Sequence, residues 1–263
     1  MRTDSDNSSM PGDVLPDTRR RGRTRGLQWK NCLRRTRRLF RAIVGRDPYI
    51  SVQAHCAKAH FGNEHADWCV CPAGLSEESV VYSFGVGTDI SFDLELIRRF
   101  GMRVHGFDPT PRAIAWVKSQ DLPEKFIFHD YGIAGHDGNV LFRAPENPNH
   151  VSYSVVSRGS LKTPLIEAPV RRLATIVKNL GHEKIDVLKM DIEGAEYEVV
   201  EDLVSFEKPV NQLLVEFHHS WQEIGIRSTK EAVAALNRAG YKIFHISPSG
   251  REISFVRSSC ATR

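Results

Sequence analysis

The stretch Ile185–Glu196, IDVLKMDIEGAE, constrains the fold of this chain more than any other segment. Apolar residues in its first half indicate a buried strand, and Asp191 and Glu193 follow at the C-terminal end of that strand. Gly194 permits a turn, after which apolar residues recur at helical spacing. In an open α/β sheet, ligands bind at the carboxyl ends of the strands. The two carboxylates therefore indicate chemistry or ligand binding, with helix capping on a solvated face as the alternative.

A second strand-to-helix transition begins at Val80, where VVYSF is followed by the turn GVGTD. Gly85 and Gly87 predict a tight turn with close backbone approach to a ligand. The next strand, MRVHGF, ends at Asp108, 21 residues after Gly87. This spacing is close to the ~20 residues at which a carboxylate binds ribose hydroxyls. The alternative role for Asp108 is to cap the helix that begins at Thr110.

The remaining segments complete the pattern of an α/β protein. The strand KFIFH ends at Asp130 and Tyr131, within reach of an adenine or a sugar. Residues 132–170 predict antiparallel strands or a flap over the sheet edge, because turn residues separate short apolar segments. The segment QLLVEFHH predicts a strand that ends in polar residues, a capping box predicts a last helix from Ser228, and two apolar segments predict a closing hairpin. Strands that alternate with helices favour a largely parallel sheet.

Basic charge is concentrated in an N-terminal arm. Residues 1–46 carry 13 Lys/Arg against 4 Asp/Glu, whereas the remainder carries 23 against 28. The polar composition of residues 1–26 predicts disorder, and residues 27–45 predict an amphipathic helix with five arginines beside its apolar face. Such a helix fits an anionic membrane surface, or packs on the domain with its arginines in water. We predict no nucleic-acid partner, because the arm has no docking motif.

Six histidines and cysteines lie close together in the sequence: His55, Cys56, His60, His65, Cys69 and Cys71. Their spacing does not favour zinc, because Cys69 and Cys71 form a C-x-C and no second paired ligand follows at finger spacing. We therefore predict no metal and a lead-in segment that packs through Phe61 and Trp68. Five cysteines in total and no signal-peptide pattern predict a reducing, cytoplasmic location, with peripheral membrane contact through residues 27–45.

The chain resembles the FkbM-type, S-adenosylmethionine-dependent methyltransferases over about residues 60–257. The segments that carry the resemblance are YSFGVGTDISFDLELI, VHGFDPTPRAI, residues 132–138, HVSYS, IDVLKMDIEGAE and LLVEFHH. The family implies a class I methyltransferase sheet, Rossmann-like, of about seven mostly parallel strands with one antiparallel edge strand. We expect this domain to cover residues 47–263, with a lead-in over 47–79 and the Rossmann-like core over 80–263, after the basic arm of residues 1–46.

The resemblance also implies S-adenosyl-L-methionine as cofactor and methyl transfer to a hydroxyl of a sugar, a lipid or a secondary metabolite. By position, Gly85 and Gly87 would face the methionine part of the cofactor and Asp108 would bind its ribose. Asp130 and Tyr131 would flank the adenine, and Asp191 would lie near the methyl group. These six residues, with Asp89, form the predicted cofactor site.

Two positions depart from related patterns. Ser83 occupies the place, two residues before the first glycine, where methyltransferases often have an acid. Asp89 is therefore a candidate to hold the ammonium group of the cofactor. The third glycine of a dinucleotide turn is also absent, which disfavours an NAD or nucleotide-sugar enzyme on the same sheet. Ser83 leaves open a non-catalytic binding module that keeps the fold without methyl transfer.

Methyl transfer from a sulfonium requires alignment of donor and acceptor and the removal of one proton. His218 is the preferred base, because an ordinary imidazole pKa near ~6.5 suits proton uptake at neutral pH. Asp191 or Glu193 could instead take the proton or orient the acceptor, and Glu216 alternates with His218 along one strand. These four residues would also suit Mg²⁺, although their spacing does not require a metal.

Overall fold

The computed structural model describes Leu33 and residues 36–45, 47–64, 66–143, 165–221 and 223–258. The strands are β1 (Ala59–Phe61), β2 (Trp68–Val70), β3 (Val80–Phe84), β4 (Arg103–Phe107), β5 (Phe126–His129), β6 (Gly132–Ile133), β7 (Gly138–Arg143), β8 (Leu165–Arg171), β9 (Ile185–Met190), β10 (Val210–Glu216), β11 (Tyr241–Ile246) and β12 (Glu252–Arg257). The helices after the arm are α1 (Ser91–Phe100), α2 (Pro111–Lys118), α3 (Leu173–Leu180), α4 (Glu196–Leu203) and α5 (Gly225–Arg238). Within these ranges, no helix combines the length and the apolar character needed to cross a membrane.

Seven strands form a central sheet in the order β11-β12-β10-β9-β3-β4-β5. β10, β9, β3, β4 and β5 are mutually parallel, whereas β12 is antiparallel to both of its neighbours. The predicted sheet of seven mostly parallel strands with one antiparallel strand is confirmed. The position of the antiparallel strand differs from the prediction, because β12 pairs with β10 and leaves β11 at the edge.

Two hydrophobic cores cover the two faces of this sheet, which explains why its central strand is apolar. β9 is buried along its whole length. Its Leu188 packs in the core formed with α3, α4 and α5. Its Val187 packs in the other core, with α1, α2 and the β1–β2 hairpin. A strand covered on both sides needs apolar residues in both orientations, as parallel sheets generally do.

The order of the strands creates a crevice between β3 and β9. From β3 the chain adds β4 and β5 on one side, and from β9 it adds β10 on the other. Strand order therefore reverses at the β3–β9 pair, which is where open α/β sheets leave room for a ligand beyond the carboxyl ends of the strands. Both of the glycine- and acid-containing turns predicted to bind ligand leave the sheet at this point.

A small second sheet, with the order β6-β8-β7, lies between β5 and α3 in the chain. β7 and β8 are antiparallel, whereas β6 and β8 are parallel. The predicted antiparallel insertion is thus confirmed for its first and last segments. The middle apolar segment, VSYSVV, lies outside the described residues.

The ends of the domain differ in how well the sequence predicts them. Phe61 and Trp68 are buried in the β1–β2 hairpin, as expected for a packed lead-in. The last helix begins at Gly225, and the predicted capping box at Ser228 is wrong. The Ser228 hydroxyl lies inside the first turn and donates to the Ile224 carbonyl at 2.8 Å. Residues 36–43 are helical, while His65 and the predicted disordered residues 1–26 lie outside the described residues.

Candidate active site

One cavity lies at the carboxyl ends of β3, β4 and β9. Eighteen residues line it: Phe84, Gly85, Gly87, Phe107, Asp108, Pro109, Thr110, Gly132, Ile133, Ala134, Val140, Phe142, Val170, Asp191, Ile192, Glu193, Ala195 and Glu198. Five of the residues predicted from the sequence are therefore brought to the same cavity, namely both turn glycines, Asp108, Asp191 and Glu193. The lining combines backbone and carboxylates on the sheet side with an apolar wall from the small sheet.

The loop after β9 is organised by Glu196, a residue that the sequence pattern did not single out. Its carboxylate is completely buried and accepts the backbone N–H groups of Ile192 and Gly194, each at 3.0 Å. The loop between them places Glu193 at a φ of +53°, a conformation that non-glycine residues rarely adopt. Such strain is found at functional sites, where the surrounding structure enforces it. Glu196 thus fixes the direction in which Glu193 leaves the loop.

Gly85 is required by contact within the protein itself. Its φ is +80°, and a Cβ atom at this position would lie 1.7 Å from the Asp191 carbonyl oxygen. Buried Lys189 donates to the Gly85 carbonyl at 3.3 Å, from below the turn. The close backbone contact observed at Gly85 joins the turn after β3 to the turn after β9, and an approach to a ligand stays a prediction. This contact sets the spacing between the two halves of the cavity.

Asp108 is buried and is held by its own loop. One carboxylate oxygen accepts the Gly87 N–H at 2.8 Å, and the other accepts the N–H and the hydroxyl of Thr110 at 2.9 and 2.6 Å. Burial raises the pKa of Asp108, against the effect of these hydrogen bonds. Asp108 thus supports the start of α2 while it lines the cavity, and its binding of a ribose stays a prediction.

His218 lies behind the cavity and does not line it. The buried ring places Nδ1 3.1 Å from Glu196 Oε1 and Nε2 3.4 Å from Glu193 Oε2. Burial by itself lowers the pKa of His218, but Glu196, Glu193 and Glu216 outweigh it and raise that pKa to about 9. A raised pKa favours the protonated imidazole, which does not suit uptake of a proton from a substrate. His218 also lies outside the lining of the cavity, so Asp191 and Glu193 are better placed to take that proton, and the role of His218 as the base stays a prediction.

Glu216 also lies outside the lining of the cavity. Its carboxylate pairs with Arg251 at 3.0 Å. Burial, followed by the nearby carboxylates of Asp191 and Glu252, raises the pKa of Glu216. Glu216 is therefore a buried neighbour of Asp191 that does not line the cavity, whereas Asp191 and Glu193 do, and its catalytic role stays a prediction.

Three predicted cofactor residues are directed elsewhere. Asp89 accepts the Ser91 N–H at 2.9 Å and the Asn63 side-chain amide at 2.5 Å, so it supports the start of α1. Asp130 is exposed, and Tyr131 packs in the core with the Arg171 guanidinium 4.2 Å from its ring centre. None of these three residues lines the cavity. Asp130 and Tyr131 follow the end of β5 as predicted, but the sequence could not give the direction of their side chains.

The small sheet supplies the part of the cavity that sequence reasoning missed. Its apolar contribution is Ile133, Ala134, Val140, Phe142 and Val170. The sheet is tied to α4, because Glu198 accepts the Gly135 N–H at 3.1 Å and contacts His136 Nδ1 at 3.0 Å. Apolar alternation in β7 and β8 was visible in the sequence. What that face covers depends on how the insertion folds back over the main sheet.

A metal at this site would meet a different set of ligands from the predicted one. Asp191, Glu196 and His218 offer ligand atoms within 4.8 Å of one another, whereas Glu193 and Glu216 are not part of this group. Both Glu196 oxygens already accept backbone N–H groups. The cluster therefore resembles a support for the loop more than a Mg²⁺ site, because Mg²⁺ requires free oxygen ligands in octahedral geometry.

Comparison with known proteins identifies the family. The model of the methyltransferase FkbM domain matches residues 57–243. Two proteins named "Probable methyltransferase-like protein 24", from Rattus norvegicus and Homo sapiens, are 28% identical over 175 residues and 25% identical over 200 residues. These matches cover 63% and 69% of this chain but 42% and 48% of those proteins, so the chain spans less than half the length of these relatives.

Among solved structures, methyltransferase FkbM from Methylobacillus flagellatus is similar with a TM-score of 0.43 and 14% identity, over 69% of this chain and 44% of that chain. The family model itself matches more than half of the residues printed in the sequence. The chain therefore belongs to the FkbM methyltransferase family.

Proposed function

We propose that this methyltransferase uses S-adenosyl-L-methionine and transfers its methyl group to a hydroxyl oxygen of a sugar, a lipid or a secondary metabolite. The observation that carries the proposal is the single cavity in which the turn glycines, Asp108, Asp191 and Glu193 meet. When bound, the cofactor would supply an activated methyl group on a sulfonium. The task of the protein is then to bind both partners, to align them and to accept one proton.

Three features of the cavity fit this cofactor. Gly85 and Gly87, which carry no side chains, line the cavity at the turn after β3. A carboxylate has about four lone-pair positions, and Asp108 uses three of them within the protein. The remaining position can accept a ribose hydroxyl. The apolar wall from β7 and β8 offers the kind of surface on which an adenine ring packs.

The proton of the acceptor hydroxyl would go to Asp191 or Glu193, because these carboxylates line the cavity at the end of β9. His218 has a positioning role in this proposal. Its Nε2 atom lies 3.4 Å from Glu193 Oε2, so the buried ring helps to hold that carboxylate in place. Single-turnover methyl transfer would separate these roles. The substitution, at Asp191 or at Glu193, that removes the base should abolish methyl transfer. His218→Gln should lower the rate of methyl transfer without abolishing it.

Calorimetric titration with S-adenosyl-L-methionine tests the cofactor. Wild-type protein should bind it, and Asp108→Asn should bind at least about tenfold more weakly, because a charged hydrogen-bond acceptor is lost. Asp130→Asn is the matched control, since Asp130 is an exposed acid outside the cavity. Absence of binding by correctly folded wild-type protein would contradict the proposal and favour a binding module without methyl transfer.

We further propose that the N-terminal segment, residues 27–45, contacts an anionic membrane surface where a lipid acceptor could be presented. In its described part, Phe40 is 65% exposed and Ile43 is 75% exposed. Arg38 instead faces the domain, where it contacts Asp47 at 3.3 Å. The segment is therefore anchored at one arginine and presents apolar side chains outward, as interfacial helices do.

Vesicle sedimentation of the full chain tests this contact. Acidic vesicles should bind the wild-type protein more strongly than neutral vesicles, and Phe40→Ser with Ile43→Ser should abolish the difference. Tyr49→Ser is the control, because Tyr49 is equally exposed but lies beyond the helical residues. Equal sedimentation of all three proteins would exclude the membrane contact.

A further inference from the structure

A cluster of metal-ligating side chains lies on the lead-in side of the domain. His60 of β1, Cys69 of β2 and His245 of β11 each offer a ligand atom, and these three atoms all lie within 4.8 Å of one another. None of the three residues lines the candidate active site. One nitrogen from each imidazole and the sulfur need to move only slightly closer together to bind one Zn²⁺ ion, whose bonds to such ligands are ~2.0–2.3 Å long.

We propose that His60, Cys69 and His245 bind a divalent metal ion of the zinc class. One thiolate and two imidazoles are ligands that Zn²⁺ accepts, whereas Mg²⁺ and Ca²⁺ prefer oxygen. Three protein ligands leave the fourth tetrahedral position for a water molecule or an exogenous ligand. The proposal is independent of the methyl-transfer chemistry, because it concerns different residues.

The surroundings of His60 are those of a metal-binding histidine. Nδ1 of His60 lies 3.1 Å from both carboxylate oxygens of Asp67. Metal-ligating histidines usually donate one ring N–H to such a carboxylate, which orients the ring and increases the basicity of the other nitrogen. The His60 ring also has an edge-to-face contact with the His245 ring, with 5.1 Å between their centres. The two imidazoles are therefore held next to each other by groups already in place.

Cys69 and His245 are also held in position by their strands. His60 and Cys69 are direct partners in the register of the β1–β2 hairpin, and the Cys69 carbonyl accepts the Ser254 hydroxyl at 2.8 Å. The β11–β12 ladder has an irregularity between Ile243 and His245. Bulges of this kind change the direction of a side chain and often occur beside functional sites. Here the irregularity occurs at the residue that completes the cluster.

The proposal reverses the expectation drawn from the sequence. The C-x-C of Cys69 and Cys71 has no second ligand pair nearby, and the third ligand comes from His245, 176 residues after Cys69. The other two cysteines of the lead-in, Cys56 and Cys71, pack in the small apolar cluster that also contains Phe244 and Val256. A metal at this cluster would fasten the β1–β2 hairpin to the edge strand β11, across elements that are far apart in the chain.

Metal titration of the full-length, metal-stripped protein under reducing conditions tests the proposal. One equivalent of Co²⁺ should produce the absorption of a thiolate–cobalt bond, and Zn²⁺ should displace it and raise the unfolding temperature. Cys69→Ser and His245→Ala should each abolish both signals. Asp67→Asn should weaken binding by ~10–100-fold, as loss of an outer carboxylate does at other metal sites.

Cys71→Ser is the matched control, because Cys71 is a buried cysteine two residues further along the chain. It should retain the cobalt absorption and the thermal shift. Circular dichroism of each variant distinguishes loss of the site from loss of the fold. The proposal fails if folded wild-type protein binds neither metal, or if binding survives His245→Ala but is lost in Cys71→Ser, which would assign the metal to the thiols alone.

Discussion

The buried carboxylate of Glu196 connects the local chain conformation to the chemistry of the site. It accepts two N–H groups of its own loop and lies 3.1 Å from His218 Nδ1. His218 in turn faces Glu193, which lines the cavity at a strained φ. A buried anion is costly unless it is paired and hydrogen-bonded, and Glu196 meets both conditions. Glu196 and His218 therefore act as one unit that holds Glu193, the acid that lines the cavity.

Protonation of His218 predicts a specific pH dependence of stability. Its pKa is raised to about 9 in the folded protein, against an ordinary value of 6.5. The stabilisation is therefore complete below about pH 6.5 and is lost as the pH rises through 9. Between these limits we expect the free energy of unfolding to fall by on the order of 3 kcal/mol through this group.

Urea unfolding across that pH range, with wild-type protein and His218→Gln, measures this contribution. The variant should show a smaller decrease, and the difference between the two proteins removes the effects of other titrating groups. His136→Gln serves as a control, because His136 is half exposed and pairs with Glu198 at the surface. Parallel pH profiles for all three proteins would contradict the assignment.

Close contact between the turns after β3 and β9 predicts the effect of a substitution at Gly85. An alanine there would combine a left-handed φ with a Cβ 1.7 Å from the Asp191 carbonyl oxygen. Gly181 has a similar φ of +71°, but a Cβ added there would meet no atom within 4 Å. We expect Gly181→Ala to cost about 1 kcal/mol and Gly85→Ala to cost roughly 3 kcal/mol or more, as measured by chemical unfolding. Equal losses of unfolding free energy in the two variants would show that the turn at Gly85 can shift to accommodate a Cβ atom.

Elements of the main sheet could be predicted because their signals are local. Each parallel strand is a short apolar segment, and a glycine or an acid marks its end, as at Phe84 and Phe107. The start of α5 was missed because the helix does not use its only recognisable cap, and Ser228 lies inside the first turn. The order of β11 and β12 depends on which strand reaches β10, a contact that no local pattern encodes.

At the scale of the whole molecule, the location of the candidate site followed from topology, whereas side-chain roles did not. Parallel strands bring their ends to one edge, so Asp108 and Asp191 could be expected to meet. Tyr131 and His218 follow strands that end at the same edge, but both side chains are buried and neither lines the cavity. Their roles depend on burial and on neighbours such as Glu196. Both the apolar wall and the cluster at His245 arise from segments distant in the chain.

The carboxyl and amino ends of the parallel strands give a test that involves the whole molecule. A second cavity lies at the amino ends of the strands. Its lining includes four residues that precede or begin them: Ser79, Arg103, Lys125 and His182. If the cofactor binds at the carboxyl ends, S-adenosyl-L-methionine should slow amide hydrogen exchange in residues 85–89, 132–134 and 191–195.

Amides at the amino ends of the strands, in residues 77–80 and 101–103, should exchange at unchanged rates. Protection there would move the binding site to the wrong end of the strands. Uniform protection would instead indicate a general stabilisation of the fold by mass action. Protection confined to the carboxyl ends, and reduced in Asp108→Asn, requires that the turn glycines, the buried carboxylate and the loop held by Glu196 act together on one ligand.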